Sequence, residues 1–420
     1  MISTTQRLDR SALIDWYRRN RERSARLFAL IDEEAFYSRP IPLRHPFIFY
    51  EGHLPAFSFL TLCERALGQT PIDPAYEKLF ERGIDPGSVD AARAAQRGDW
   101  PTRAQVEAFA RLCDERVIDA LANAPLVDPA NPKLVRGQSA YNILEHEPMH
   151  HETLTYIISQ LDYAKKGRIP QEHHDNAPVP NPMQVVEAGT AHLGANPETI
   201  PFAWDNEMPR FDVDVPRFAM MRYPVTNGDW LRFVHAGGPV PKFWVERDGE
   251  FVLHGVFEEL PLPRSWPVYV SHDQAQQYAD WVGMKLPTEA QFHRAAYGER
   301  SGADRYYPWG EAPPDSMHGN FDFERFDPEP VNEHPAGASA WEIEDLVGNG
   351  WEWTSTVFGP FPGFEPMASY PVYSADFFDG KHFVMKGASP VTARELIRPS
   401  FRNWFYSDYP FMFAKFRCVA

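Results

Sequence analysis

The sequence predicts an α+β protein: a helical bundle over residues 1–170, a linker over 171–185 and a strand-and-loop domain over 186–420. Three observations predict it. Apolar residues recur at helical spacing through most of residues 5–165, as in Leu8, Leu13, Ile14, Trp16, Tyr17 and then Leu27, Phe28, Ile31. The stretch KKGRIPQEHHDNAPVPNPMQ (165–184) is polar and proline-rich, as a linker is. From about 186, short alternating segments such as Phe211-Asp212-Val213-Asp214-Val215 replace long periodic ones, amid many Gly, Pro and Trp residues.

In chain order, an amphipathic helix with a basic face comes first. Arg39–Pro46 is an extended break, and Pro46 suits the first turn of a helix running from Phe47 past His53. Residues 68–103 are rich in Asp, Gly and Pro and form an excursion between helices. Thr102 caps the helix over 102–123, and Ser139 is expected to cap the one carrying His146. In the second half, Ser271 caps a helix through Trp281, and Pro287-Thr288-Glu289 opens another ending near Ala296. Four helices with inward-pointing histidines suggest a four-helix bundle holding a metal in its core.

Composition narrows the function classes. With 41 basic and 58 acidic residues the net charge is −17, which argues against a general phosphate-backbone binder. No nucleic-acid or membrane partner is expected, because no window approaches the ~18 apolar residues a span needs. Cys63, Cys113 and Cys418 are far apart, form no CxxC pair and suit a reducing cytoplasm.

The chemistry concentrates in Glu145-His146-Glu147-Pro148-Met149-His150-His151-Glu152. His146 and His150, four apart, share one face of a helix and can bind one divalent metal through neutral ring nitrogens. Glu147 and Glu152 are candidates to orient the ligand imidazoles. Pro148 means that the helix kinks there or begins close by. His53 is the candidate third ligand, and His45, preceding a proline, competes with it. His173 and His174 in the linker read as surface residues. His146-Glu147-Pro148-Met149-His150 also satisfies the zinc-peptidase pattern HExxH, with Glu147 as general base, and a carbohydrate-binding protein without catalysis is a further alternative.

The C-terminal half carries Asp205-Asn206-Glu207-Met208-Pro209, Pro224-Val225-Thr226-Asn227, Leu286-Pro287-Thr288-Glu289-Ala290, Tyr307-Pro308-Trp309-Gly310, Asp345–Thr354 (DLVGNGWEWT) and Phe416-Arg417-Cys418. In that order these phrases resemble the formylglycine-generating-enzyme fold, a C-type-lectin-like domain, although the copper-binding cysteine pair of those enzymes is missing. Joined to a bundle with His-Glu-x-x-His-x-Glu, the chain resembles the iron-dependent sulfoxide synthases of ergothioneine and ovothiol biosynthesis, whose N-terminal domain is DinB-like. That resemblance implies Fe(II) held by His53, His146 and His150, with O2 as co-substrate and hercynine as the imidazole substrate. It implies that Asn403 and Trp404 hold the hercynine carboxylate, and rings such as Tyr373 and Phe405 suit its quaternary ammonium. Met149 replaces the family's glutamine before the third ligand. The family's proton-donating tyrosine falls at Tyr370 or Ser369.

The tail departs from the family. Ergothioneine enzymes follow Asn-Trp with arginines that grip an amino-acid donor, whereas Trp404–Phe411 (WFYSDYPF) has none before Arg417. This resembles selenoneine synthase, whose donor is a selenosugar without a carboxylate. The alternative is a sulfoxide synthase using the thiol donor cysteine or γ-glutamylcysteine, with arginines supplied by Arg82, Arg93, Arg97 or Arg103. Trp351 and Trp353 are expected in the core.

Overall fold

A computed structural model describes residues 8–81 and 99–420, and the chain divides into two compact units. One comprises Met1–Ile169 together with Met367–Pro371; the other comprises Pro170–Pro366 and Val372–Ala420.

The first unit is built on α1 (Arg10–Phe28), α2 (Phe47–Ser58), α3 (Pro74–Phe80), α4 (Arg103–Asn123) and α5 (Gln138–Ser159). Every residue of α2 is buried, as expected of a helix that is apolar nearly all round, and α2 packs on α3, α4 and α5. The chain then widens into π-helical turns over Phe59–Ala66. Thr102 caps α4 in a reciprocal box with Gln105. The expectation for Ser139 is corrected: α5 begins two residues earlier, with Gly137 at φ 75° in the cap position, and the Ser139 hydroxyl donates to the Lys133 carbonyl instead.

Pro148 lies inside α5, neither starting nor ending it. A proline has no N–H to give the carbonyl four residues back, here that of Leu144. Asn20 of α1 donates its side-chain amide to that carbonyl at 2.8 Å. The bond lost within one helix is thus replaced by one between helices.

The second unit begins with β1 (Met183–Val186), β2 (Gly189–Leu193), β3 (Phe211–Val215) and β4 (Phe218–Met221), paired antiparallel as β1 with β4 and β2 with β3. After α6 (Asn227–His235) come β5 (Trp244–Arg247), β6 (Glu250–His254) and β7 (Glu259–Pro261), which form an antiparallel meander. Two helices follow, α7 (His272–Trp281) and α8 (Glu289–Ala296), capped by Ser271 and Thr288. The last sheet is ordered β10 (Asn403–Tyr406), β9 (His382–Ala388), β8 (Gly350–Val357), β11 (Ala414–Lys415). Trp351 and Trp353 of β8 are buried, and the Trp353 indole donates to the Val270 carbonyl. Much of the stretch expected as a linker is anchored: Asp175 accepts from the Arg264 and Ser265 backbone, and His174 pairs with Glu333.

Candidate metal centre

On α5, His146 and His150 stand one turn apart with their Nε2 atoms 3.1 Å from each other. Two nitrogens that each lie about 2.1 Å from one ion, at right angles, are separated by about 3.0 Å. His53 comes from α2, its ring centroid 5.2 Å from that of His146 and 5.0 Å from that of His150. One nitrogen from each of the three rings lies within 4.8 Å of the others, and no other such group occurs among the described residues.

The His53 Nδ1 lies 2.7 Å from the Phe80 carbonyl, which accepts a proton only from Nδ1–H. That fixes the tautomer and leaves Nε2 with its lone pair for a metal. The Nδ1 atoms of His146 and His150 are buried without a hydrogen-bond partner. A ring whose one nitrogen is unpaired and whose other points at two imidazoles fits a metal better than it fits a core. Burial lowers the His53 pKa to about 4 against the opposing pull of the Phe80 bond. It holds His146 and His150 well below the usual histidine range, with the neighbouring rings adding to the effect. Three neutral imidazoles result, the form that ligates.

Aromatic rings fix the triad. Phe57 stacks on His146 at 3.5 Å, Phe49 on His53 at 5.1 Å, and Tyr50 lies 5.8 Å from His150. Phe57 follows His53 by four residues, so helical spacing alone would have found it. Gly52 admits α3: a Cβ there would meet the Phe80 ring at 2.5 Å. Gly52→Ala is therefore expected to displace Phe80, release the His53 tautomer and weaken metal binding by about tenfold to a hundredfold; a calorimetric metal titration checks it.

His45 is not part of the triad; it stacks on Phe49 at 4.1 Å. Its charge, when protonated, and that of the buried Arg44 both bear on His150. Arg44, whose guanidinium lies 5.3 Å from the Tyr156 ring, is a cation near the triad that no spacing in the sequence signals.

The expected part of Glu147 and Glu152 is corrected, since neither carboxylate meets an Nδ1 of His146 or His150. Glu147 is fully buried and accepts from Arg21 at 2.8 Å and Ser24 at 2.5 Å, both on α1, with His151 at 3.8 Å. Its Oε1 is thus committed to α1, which weighs against a part as the general base of a zinc peptidase. Met149 is half-buried. Tyr370, in the segment that belongs to the first unit, lies edge-on to Phe57 at 5.2 Å and 6.5 Å from the His146 ring, while Ser369 is hydrogen-bonded to Gln138 and Asn142.

In the second unit, Trp404 stacks on Phe358 at 4.2 Å, and Tyr373 meets it edge-on at 5.4 Å while stacking on Trp204 at 4.0 Å. Phe405 points to the other face of β10 and stacks on Tyr409, so it is not part of this cluster. Asn403, on the Phe405 face, accepts from the Trp404 N–H through its side-chain oxygen.

Residues 170–420 match the sulfatase-modifying factor enzyme 1-like domain, and residues 17–154 match the DinB superfamily. The chain is 31% identical to a hercynine oxygenase of Mycolicibacterium smegmatis, over 96% of each chain. It is 32% identical to a hercynine oxygenase of Mycolicibacterium thermoresistibile, over 88% of this chain and 85% of the relative. It is 30% identical to ergothioneine biosynthesis protein 1 of Schizosaccharomyces pombe, over 93% of this chain and 53% of the relative. The two folds and these likenesses define an oxidative enzyme made of a DinB-type helical domain followed by a sulfatase-modifying-factor-type domain. The chain belongs to the hercynine oxygenase family.

Proposed function

We propose that this protein is an O2-dependent, non-haem iron(II) synthase that joins the selenium of a selenosugar to the imidazole of hercynine. In this reading His53, His146 and His150 hold the iron, whose chemistry when bound is to activate O2 beside the two substrates. Tyr370 supplies a proton near His146. The rings of Trp404 and Tyr373 suit the trimethylammonium group of hercynine, and Asn403, on the other face of β10, is left out of that contact. Met149 borders the imidazole. Three buried free cysteines suit the cytoplasm, and no helix among the described residues is long and apolar enough to cross a membrane.

The observation that carries the selenium assignment is the arginine-free stretch Trp404–Phe411. The arginines that flank it are committed elsewhere: Arg398 to Glu207, Arg402 to Glu289 and Arg417 to Glu352, each pair buried. A carboxylate-bearing donor would need a guanidinium fork; a hydroxyl-rich sugar would be met by Tyr406, Ser407, Asp408 and Tyr409. Arg44 favours a second reading, a sulfoxide synthase whose donor is cysteine or γ-glutamylcysteine, because it sets a cation near His150. Arg103 is less suited to that role, being bonded to Glu51 at 3.0 Å, and Arg82, Arg93 and Arg97 lie outside the described residues.

The test is turnover of the Fe(II)-loaded protein with O2, hercynine and either a selenosugar or γ-glutamylcysteine, read by product mass. A selenium isotope pattern is expected. Turnover confined to the thiol overturns the selenium assignment and leaves the oxygenase; turnover with neither overturns both.

A further inference from the structure

Four residues of α5 at intervals of four, Gln138, Asn142, His146 and His150, form one polar ridge along a helix that is otherwise largely buried. The lower two belong to the metal triad. The upper two hold a remote segment of the chain. The Gln138 side-chain oxygen accepts from the Ser369 N–H at 3.1 Å and from the Ser369 hydroxyl at 2.8 Å, and Asn142 donates to that hydroxyl at 2.7 Å. Ser369 is thus gripped by three hydrogen bonds from the face that carries the metal ligands.

Ser369 is buried, and the next residue is Tyr370. Its N–H closes a turn on the Met367 carbonyl, and Met367 is itself buried. With the turn closed and the serine held, the Tyr370 ring comes to rest against Phe57, which stacks on His146. Stability alone does not account for the clamp. Asn142 is wholly buried, yet its side-chain oxygen has no hydrogen-bond partner, a cost that an apolar residue in this place would avoid.

We infer that Gln138, Asn142 and Ser369 are positioning residues that fix Tyr370 beside the metal triad, so that the helix supplying two ligands also sets the place of the proton donor. This rests on the part given to Tyr370 under Proposed function. The two hydrogen bonds of the hydroxyl do the fixing, so a residue that keeps the hydroxyl should keep the function.

The experiment compares Ser369→Ala, Ser369→Thr, Asn142→Ala, Tyr370→Phe and the double variant S369A/Y370F, assayed with hercynine and either donor. Amide hydrogen exchange over residues 367–371 is followed in the metal-free proteins. Ser369→Ala is expected to lower kcat about tenfold to a hundredfold with KM for hercynine within about twofold, since small misplacements of a reacting group cost that much. Exchange over 367–371 should speed up, Asn142→Ala should act in the same direction, and Ser369→Thr should restore both readouts. The double variant should be no slower than Tyr370→Phe alone. A slow Tyr370→Phe beside a fast Ser369→Ala, or additive losses in the double variant, overturns the clamp while leaving Tyr370 in its place. A wild-type rate in Tyr370→Phe removes the tyrosine's part, and the positioning inference goes with it.

Discussion

His146→Ala is expected to end stable metal binding and turnover together. Residues that only support a ligand already cost about tenfold to a hundredfold in metal affinity when lost, and a ligand itself must cost more. With three imidazoles at the site, removal of one leaves two, and among the described residues no carboxylate joins the triad, Glu147 being tied to Arg21 and Ser24. His150→Ala and His53→Ala should behave alike. His45→Ala is the control: its ring stacks on Phe49 outside the triad, so the variant should keep its metal. Metal content after desalting, with chelator-treated unfolding curves to show that each variant still folds, decides the matter. A variant lacking His146 that retains one tightly bound equivalent would sink the assignment.

The parts of this site that are legible in the sequence are those governed by local geometry. Two histidines four apart must share a helix face, and the structure brings their nitrogens to 3.1 Å. The rule is not enough for Glu147, which is turned about 100° from His146 but only about 60° from His150; its partners on α1 decide where it points. Glu152, two beyond His150, is turned about 200° from it by the same rule. What depends on a partner distant in sequence is not legible. The Phe80 carbonyl that sets the His53 tautomer lies 27 residues away, and the Asn20 amide that repairs the proline break lies 124 from Leu144. Ser139 has the chemistry of a cap, but a glycine at positive φ has already begun the helix. In the second unit, irregular backbone is set by residues such as Asn349 at φ 61° and Gly350 at φ 138°. Periodicity carries no signal for these, so beyond the alternation of Phe211–Val215 and the two capped helices that unit shows in the sequence through short motifs such as Asp345–Thr354.

The largest effect on stability is expected at Glu147. Its carboxylate loses its water on folding, which by itself would raise its pKa; the Arg21 guanidinium, with bonds from His151 and Ser24, outweighs that and brings it down to about 2. Burial keeps His151 below the usual histidine range, so the attraction comes chiefly from Arg21. A group with a depressed folded-state pKa stabilises the fold above its unfolded value, near 4.5, and that stability is lost as pH falls from there towards 2. The shift corresponds to a contribution on the order of 3 kcal/mol. Glu147→Ala should cost about 3–5 kcal/mol at pH 7, because Arg21 is left as a largely buried cation with one carboxylate fewer, Asp114 remaining. Denaturant unfolding in the presence of chelator, which removes any contribution from metal, measures both claims. The gap between wild type and variant should be full at pH 7 and at pH 5, and should close as the pH is lowered through 4 and 3. A gap that persists unchanged at pH 3 would mean that the ion pair is not what holds α1 to α5, and that the Asn20–Leu144 bond and apolar packing do so without it.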